Sequence, residues 1–269
     1  VKPTGTLSTI LSLATGSLLV LLAYAQVRAQ DAPPPAPQDG VHESAAPHAA
    51  GPLLDLRRIQ PLRGDAAAGK AKSALCSNCH GEQGISIVPI FPNLAGQRAE
   101  YMYWQLVESK LGNLPPSTMT PLVADLSDAD MRDLAAYYAS LPPNPPLPAD
   151  RPGDETATPP AADVLARGQA LYLEGSPEAG IPPCQGCHGR DALGFRNALQ
   201  PNRSGHVPYA TYPILRGQQR DYLQIRLGQY QGDEFNDSTP DLVMSGVGHR
   251  LDPDSIAALS SYLSSLYGN

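Results

Sequence analysis

Two six-residue stretches decide how this chain is read: Cys76-Ser77-Asn78-Cys79-His80-Gly81 and Cys184-Gln185-Gly186-Cys187-His188-Gly189. They hold all four cysteines in one frame, C-x-x-C-H, and none is left over. Thiols three positions apart lie near one face of a helical turn, within reach of the two vinyl groups of a single haem. Each thiol can form a thioether, and the histidine directly after the second cysteine is then held under the iron. Cys76, Cys79, Cys184 and Cys187 are therefore expected to attach two covalently bound haem c groups, with His80 and His188 as proximal iron ligands. A single C-x-x-C-H also suits a zinc half-site or a redox dithiol. Two copies in matching repeats, with no second cysteine pair to complete a zinc shell, favour haem.

An iron bound by one histidine has a second axial position to fill, and the repeat points to what fills it. Phe91-Pro92-Asn93-Leu94-Ala95-Gly96-Gln97 matches Tyr212-Pro213-Ile214-Leu215-Arg216-Gly217-Gln218, 121 positions on. Leu126, Leu134, Tyr137 and Leu141 recur 125 positions on as Leu251, Leu259, Tyr262 and Leu266. The chain therefore reads as a tandem duplication. At that second offset Met119 falls on Met244, the one methionine of the second half. Met102 and Met131 have no methionine counterpart and lie in helix-like segments, so they are expected in the core. Met119 and Met244 are the expected distal ligands; a thioether opposite imidazole raises the reduction potential. His206 and His249 are rival ligands for the second iron, with surface or hydrogen-bonding roles as the simpler reading. His42 and His48 are expected to be solvated.

These residues resemble the tandem dihaem class I cytochromes c, cytochrome c4 above all. The resemblance covers residues 64–143 and 162–269 and rests on the two C-x-x-C-H-G sequences, the two P-x-L-x-G-Q stretches and Leu126-Ser127-Asp128-Ala129-Asp130. It implies an all-α fold of two class I cytochrome c domains joined by a Pro-rich linker. A first helix would run into each haem motif, a middle helix would begin near Arg98 and Arg220, and a last helix would start at Ser127 and Pro253. It further implies that the carbonyls of Pro92 and Pro213 accept from the other ring nitrogen of His80 and His188. Gly69 with Tyr137, and Gly168 with Tyr262, would be the close crossing of first and last helices. From the residues themselves, Ser127 and Asp252 are suitable N-caps, with Pro253 at the first helical position of the second copy. The second half departs by extra residues between Gly168 and Cys184 and between Cys187 and Pro213.

The flanks carry other information. Lys2 precedes an uncharged stretch over 3–27, followed by small-residue sites near Ala29. Residues 1–29 read as a secretory leader or as an inner-membrane anchor through 3–27. Either places the rest in the periplasm, soluble or tethered. Residues 30–63, rich in Pro and Ala, read as a flexible tether, and 144–161 as a semi-rigid Pro-rich linker. The net charge of −7 is spread over both halves with no Lys/Arg stripe, which argues against nucleic acid.

The expected function is one-electron transfer without substrate chemistry of its own. The resemblance implies redox partners such as a bc-type complex or a dehydrogenase as donor and a terminal oxidase as acceptor. A permanently docked subunit of a dehydrogenase or oxidase is the second possibility, favoured by the tether. A dihaem enzyme is the third: a peroxidase needs one iron free of methionine, and a cysteine-ligated thiosulfate dehydrogenase needs a fifth cysteine.

Overall fold

The computed structural model describes residues 53–143 and 160–266. Among them the chain is helical, with two isolated β-bridges, Leu54 to Ser238 and Ser176 to Ile181. A 3₁₀ turn (Leu56–Arg58) leads to α1 (Ala66–Lys72), α2 (Ala74–His80), α3 (Ala99–Leu111), α4 (Met119–Val123) and α5 (Asp128–Ser140). The second repeat holds α6 (Ala162–Glu174), α7 (Gln185–His188), α8 (Arg220–Gln231), α9 (Thr239–Gly248) and α10 (Pro253–Ser265). The expected leader or anchor over 1–29, the tether as far as residue 52, and 144–159 of the linker lie outside the described residues. No described helix is long and apolar enough to cross a membrane.

Local chemistry sets the helix ends. Ser127 opens α5 with a reciprocal capping box: its hydroxyl accepts from the Asp130 amide while the Asp130 carboxylate accepts from the Ser127 amide. Asp252 opens α10 by accepting from the Ser255 amide at 2.6 Å, with Pro253 in the first turn. In each repeat the first helix packs on the last, and the middle helix packs on the last as well. The first crossing is so close that only glycine fits. A Cβ at Gly69 would lie 2.0 Å from the Asp133 carbonyl oxygen and 2.8 Å from the Tyr137 Cβ. At Gly168 the same atom would lie 2.1 Å from the Ala258 oxygen and 2.7 Å from the Tyr262 Cβ. The obstacle is helix backbone, which cannot rotate aside. Gly168→Ala is therefore expected to destabilise the holoprotein by about 3 kcal/mol, the upper end of an overpacking penalty, as read from denaturant unfolding.

Each repeat has its own core. Met102, Met131, Leu134, Tyr137 and Tyr138 cluster in the first. Leu171, Tyr172, Leu223, Leu259 and Leu263 do so in the second. Met102 and Met131 are both buried there, as their lack of repeat partners suggested.

Two expectations need correction. The first helix of the second repeat does not run into its haem motif. It stops at Glu174, and Gly175 (φ 74°) turns the chain into a loop closed by paired backbone bonds between Ser176 and Ile181, both 2.9 Å. The extra residues before Cys184 form that loop, leaving only one turn, α7, to carry the motif. In the first repeat the break is slight, a single residue at Ser73 between α1 and α2. The tether, too, ends earlier than residue 63. The Leu54 amide donates to the Asp237 carbonyl (2.8 Å), its carbonyl accepts from Thr239 (3.0 Å), and the Val207 amide donates to Arg57 (2.7 Å). Leu56 is buried, and the Leu62 amide reaches the Glu100 carboxylate. The cause is visible in Leu53-Leu54-Asp55-Leu56-Arg57-Arg58-Ile59, apolar enough to dock where the preceding Pro/Ala run is not.

The repeats meet through their P-x-L-x-G-Q loops in a reciprocal arrangement. The Gln97 side chain donates to the Ile214 carbonyl at 2.9 Å and accepts from the Ile214 amide at 2.8 Å. The Gln218 side chain treats Asn93 in the same way, at 3.0 and 2.8 Å. Both glutamines are buried. Arg98 adds a bond to the Tyr212 carbonyl and Gln219 one to the Ser86 carbonyl.

Candidate functional site

Helix α2 carries Cys76, Cys79 and His80 on one short helix; in the second repeat Cys184 stands at the N-terminal end of α7, which carries Cys187 and His188. The chain must then turn away at once, and it does so at Gly81 (φ 76°) and Gly189 (φ 78°). A side chain there would be strained in φ and would also strike the Ile85 or Gly194 carbonyl.

Both histidine rings are buried, and their Nδ1 atoms lie 2.8 Å from the Pro92 oxygen and 3.0 Å from the Pro213 oxygen. A carbonyl only accepts, so Nδ1 carries the proton and Nε2 carries the lone pair. Burial pushes both imidazoles below the usual histidine range, against the opposing pull of the carbonyl. The rings are thus neutral, oriented nitrogen donors. An aromatic ring stands beside each, Phe91 at 6.1 Å from His80 and Tyr212 at 6.0 Å from His188.

The loops bearing Pro92 and Pro213 are themselves held in matching fashion. The Gly84 carbonyl accepts from the Leu94 and Ala95 amides, and the Ala192 carbonyl from those of Leu215 and Arg216. Gly84 (φ 71°) and Ala192 (φ 61°) both adopt the left-handed conformation this needs. The second repeat accepts a buried alanine at a position that favours glycine.

All four cysteines are unpaired and partly buried. Burial raises the thiols of Cys76 and Cys187, and pushes Cys184 up to about 11. Cysteines bordering an apolar space suit thioether formation.

That space is a continuous cavity of 510 Å³ bordered by both repeats. Its walls include both cysteine pairs, His80, His188, Met119 and Met244, together with Leu, Ile, Val, Trp and Tyr side chains. Met119 opens the short helix α4, whereas Met244 lies midway along α9. Met102 also borders the cavity but is held in the first core, and Met131 does not reach it. His249 pairs with Asp233 at the surface (2.8 Å), and His206 sits in a turn built on the Asn202 side chain; neither borders the cavity. His42 and His48 lie outside the described residues.

A polar part of the wall fits a haem as well. Arg226 Nε is buried with no hydrogen-bond partner, while the guanidinium stacks 4.3 Å over Phe235 and bonds Gln105. A buried guanidinium with a spare donor suits a carboxylate, the group that haem bears at its edge. Glu108 lines the same region, pushed up to about 8 by burial and then by Asp241, against the pull of Ser238 and Arg226.

The Cytochrome c family model matches residues 66–142. Cytochrome c4 of Thiocapsa roseopersicina is 39% identical over 209 residues, 77% of this chain and 95% of that protein. The chain belongs to the cytochrome c4 family. A crystal structure of reduced recombinant cytochrome c4 from Pseudomonas stutzeri superposes with a TM-score of 0.60 at 31% identity, covering 76% of this chain and 100% of that one. The thiosulfate dehydrogenase electron acceptor of Stutzerimonas stutzeri (strain A1501) is 28% identical over 193 residues, 71% of this chain and 78% of that protein. As a member of this family the chain binds two haem c groups and is a dihaem electron carrier.

The sequence reading did not assign Gln97, Gln218, Arg226 or Glu108. The two glutamines stood in the repeated G-Q dipeptide, so a signal existed. For Arg226 and Glu108 there was none, because neither has a repeat counterpart of its own type.

Proposed function

We propose that His80 with Met119, and His188 with Met244, grip the two irons from opposite sides, within domains spanning 64–143 and 162–269. Cys76 and Cys79 fix the first haem by thioethers, and Cys184 and Cys187 the second; Pro92 and Pro213 orient the proximal rings. The observation that carries this reading is that each repeat brings a cysteine pair, a neutral oriented histidine and its repeat-matched methionine to one apolar cavity. When bound, each haem supplies a one-electron couple. The chain's residues hold it rigidly, exclude water and occupy both axial positions, so that electrons enter and leave without substrate chemistry.

The chain would act in the periplasm, exported by residues 1–29 and either free or tethered, between a bc-type complex or dehydrogenase and a terminal oxidase. Among donors, a dehydrogenase is favoured by the relatives named as thiosulfate dehydrogenase electron acceptors. Rapid reduction by a purified dehydrogenase in stopped-flow mixing would support that assignment, and failure to reduce would remove it.

Carbon monoxide tests the ligation. The reduced native protein is expected to show no large spectral change on adding the gas, and the oxidised protein a near-infrared sulfur-to-iron band of two-haem intensity. A strong carbonyl spectrum would mean an open axial site and would overturn the reading.

A further inference from the structure

Each proximal histidine is joined to the opposite repeat by one peptide unit. The Pro92 carbonyl accepts from His80 Nδ1 at 2.8 Å, and the amide of that same peptide, Asn93 N–H, donates to Gln218 Oε1 at 2.8 Å. In the second repeat the Pro213 carbonyl accepts from His188 at 3.0 Å, and the Ile214 amide donates to Gln97 Oε1 at 2.8 Å. Loading the N–H end of a peptide shifts charge toward its oxygen and makes that oxygen a better acceptor. A better acceptor on Nδ1–H gives the imidazole more anionic character, and outer-shell bonds of this kind tune the metal they do not touch.

We infer that Gln97 and Gln218 are crossed positioning residues, each tuning the haem of the other repeat through the proline peptide that holds its histidine. The inference rests on the proposed ligation by His80 and His188. Its sign follows from the chemistry: anionic imidazole stabilises ferric iron, so the clamp lowers the potential and its removal raises it. The crossing is the distinctive feature. Gln218 sits five residues after Pro213 in its own loop, yet it bonds the peptide serving His80.

The test is a spectroelectrochemical titration of wild type, Gln218→Met and Gln97→Met, each haem being identified by the shifted methyl resonances of Met119 and Met244. Gln218→Met is expected to raise the first haem's reduction equilibrium constant about threefold, or ~28 mV at 59 mV per decade, with a much smaller change at the second. Gln97→Met should do the reverse. The His80 ring N–H resonance should move upfield in Gln218→Met, which mere loosening of the interface would not produce. Where the methionine variant does not fold, Gln218→Asn withdraws the clamp while keeping an amide, and the same crossed shift is expected. Unmoved potentials, or a shift as large in the haem of the glutamine's own repeat, would overturn the inference. Absence of the near-infrared band in wild type would instead overturn the ligation.

Discussion

Replacing Cys184 and Cys187 together by alanine is expected to leave one covalently bound haem per chain and to unfold the second repeat while the first keeps its haem. The magnitude comes from the cavity. An unfilled apolar space costs about 24 cal/mol per Å³, so half of the 510 Å³ shared by the two repeats corresponds to ~6 kcal/mol. A domain has roughly 5–15 kcal/mol of stability in total. The second core cannot absorb that loss, because Leu223, Leu251, Leu259 and Leu263 border the cavity and would lose their contacts on that side. Haem remaining on the acid-denatured chain should fall from two to one, and helical circular dichroism should fall with it. Retention of two haems, or full helicity with one, would sink this account.

Much of this architecture was legible beforehand, for a physical reason. A duplicated sequence lets each half test the other, and ligand-bearing positions must recur where spacer positions need not. That is why Met119 and Met244 could be set apart, as the proposed ligands, from Met102 and Met131, whereas the pairing of Gly69 and Gly168 with tyrosines on the last helices came from the family resemblance. The same logic failed where the repeats differ. The loop from Gly175 to Cys184 replaces the end of a helix, and nothing in its composition fixed where α6 would stop beyond a glycine. The docking of Leu54 and Leu56 depends on an edge offered by Asp237 and Thr239, 183 residues away, and such partners leave no local mark. Arg226 and Glu108 belong to the same class: their roles come from the meeting of two repeats.

The second large effect is expected at the distal ligands. Met244→His and Met119→His should each lower the potential of one haem by on the order of 0.2 V, within the ~0.8 V that axial ligands span. Imidazole donates more strongly than a thioether and favours ferric iron, so the sign is downward for both. Half of the near-infrared band should vanish in each single variant and all of it in the double. Met102→Leu and Met131→Leu supply the contrast, since both residues are buried in the first core. They should leave both potentials and the band in place and cost less than about 1.5 kcal/mol in stability. If Met102→Leu removed the band while Met119→His did not, the iron of the first haem would be gripped from α3 rather than from α4. The repeat correspondence that pairs Met119 with Met244 would then have no bearing on ligation.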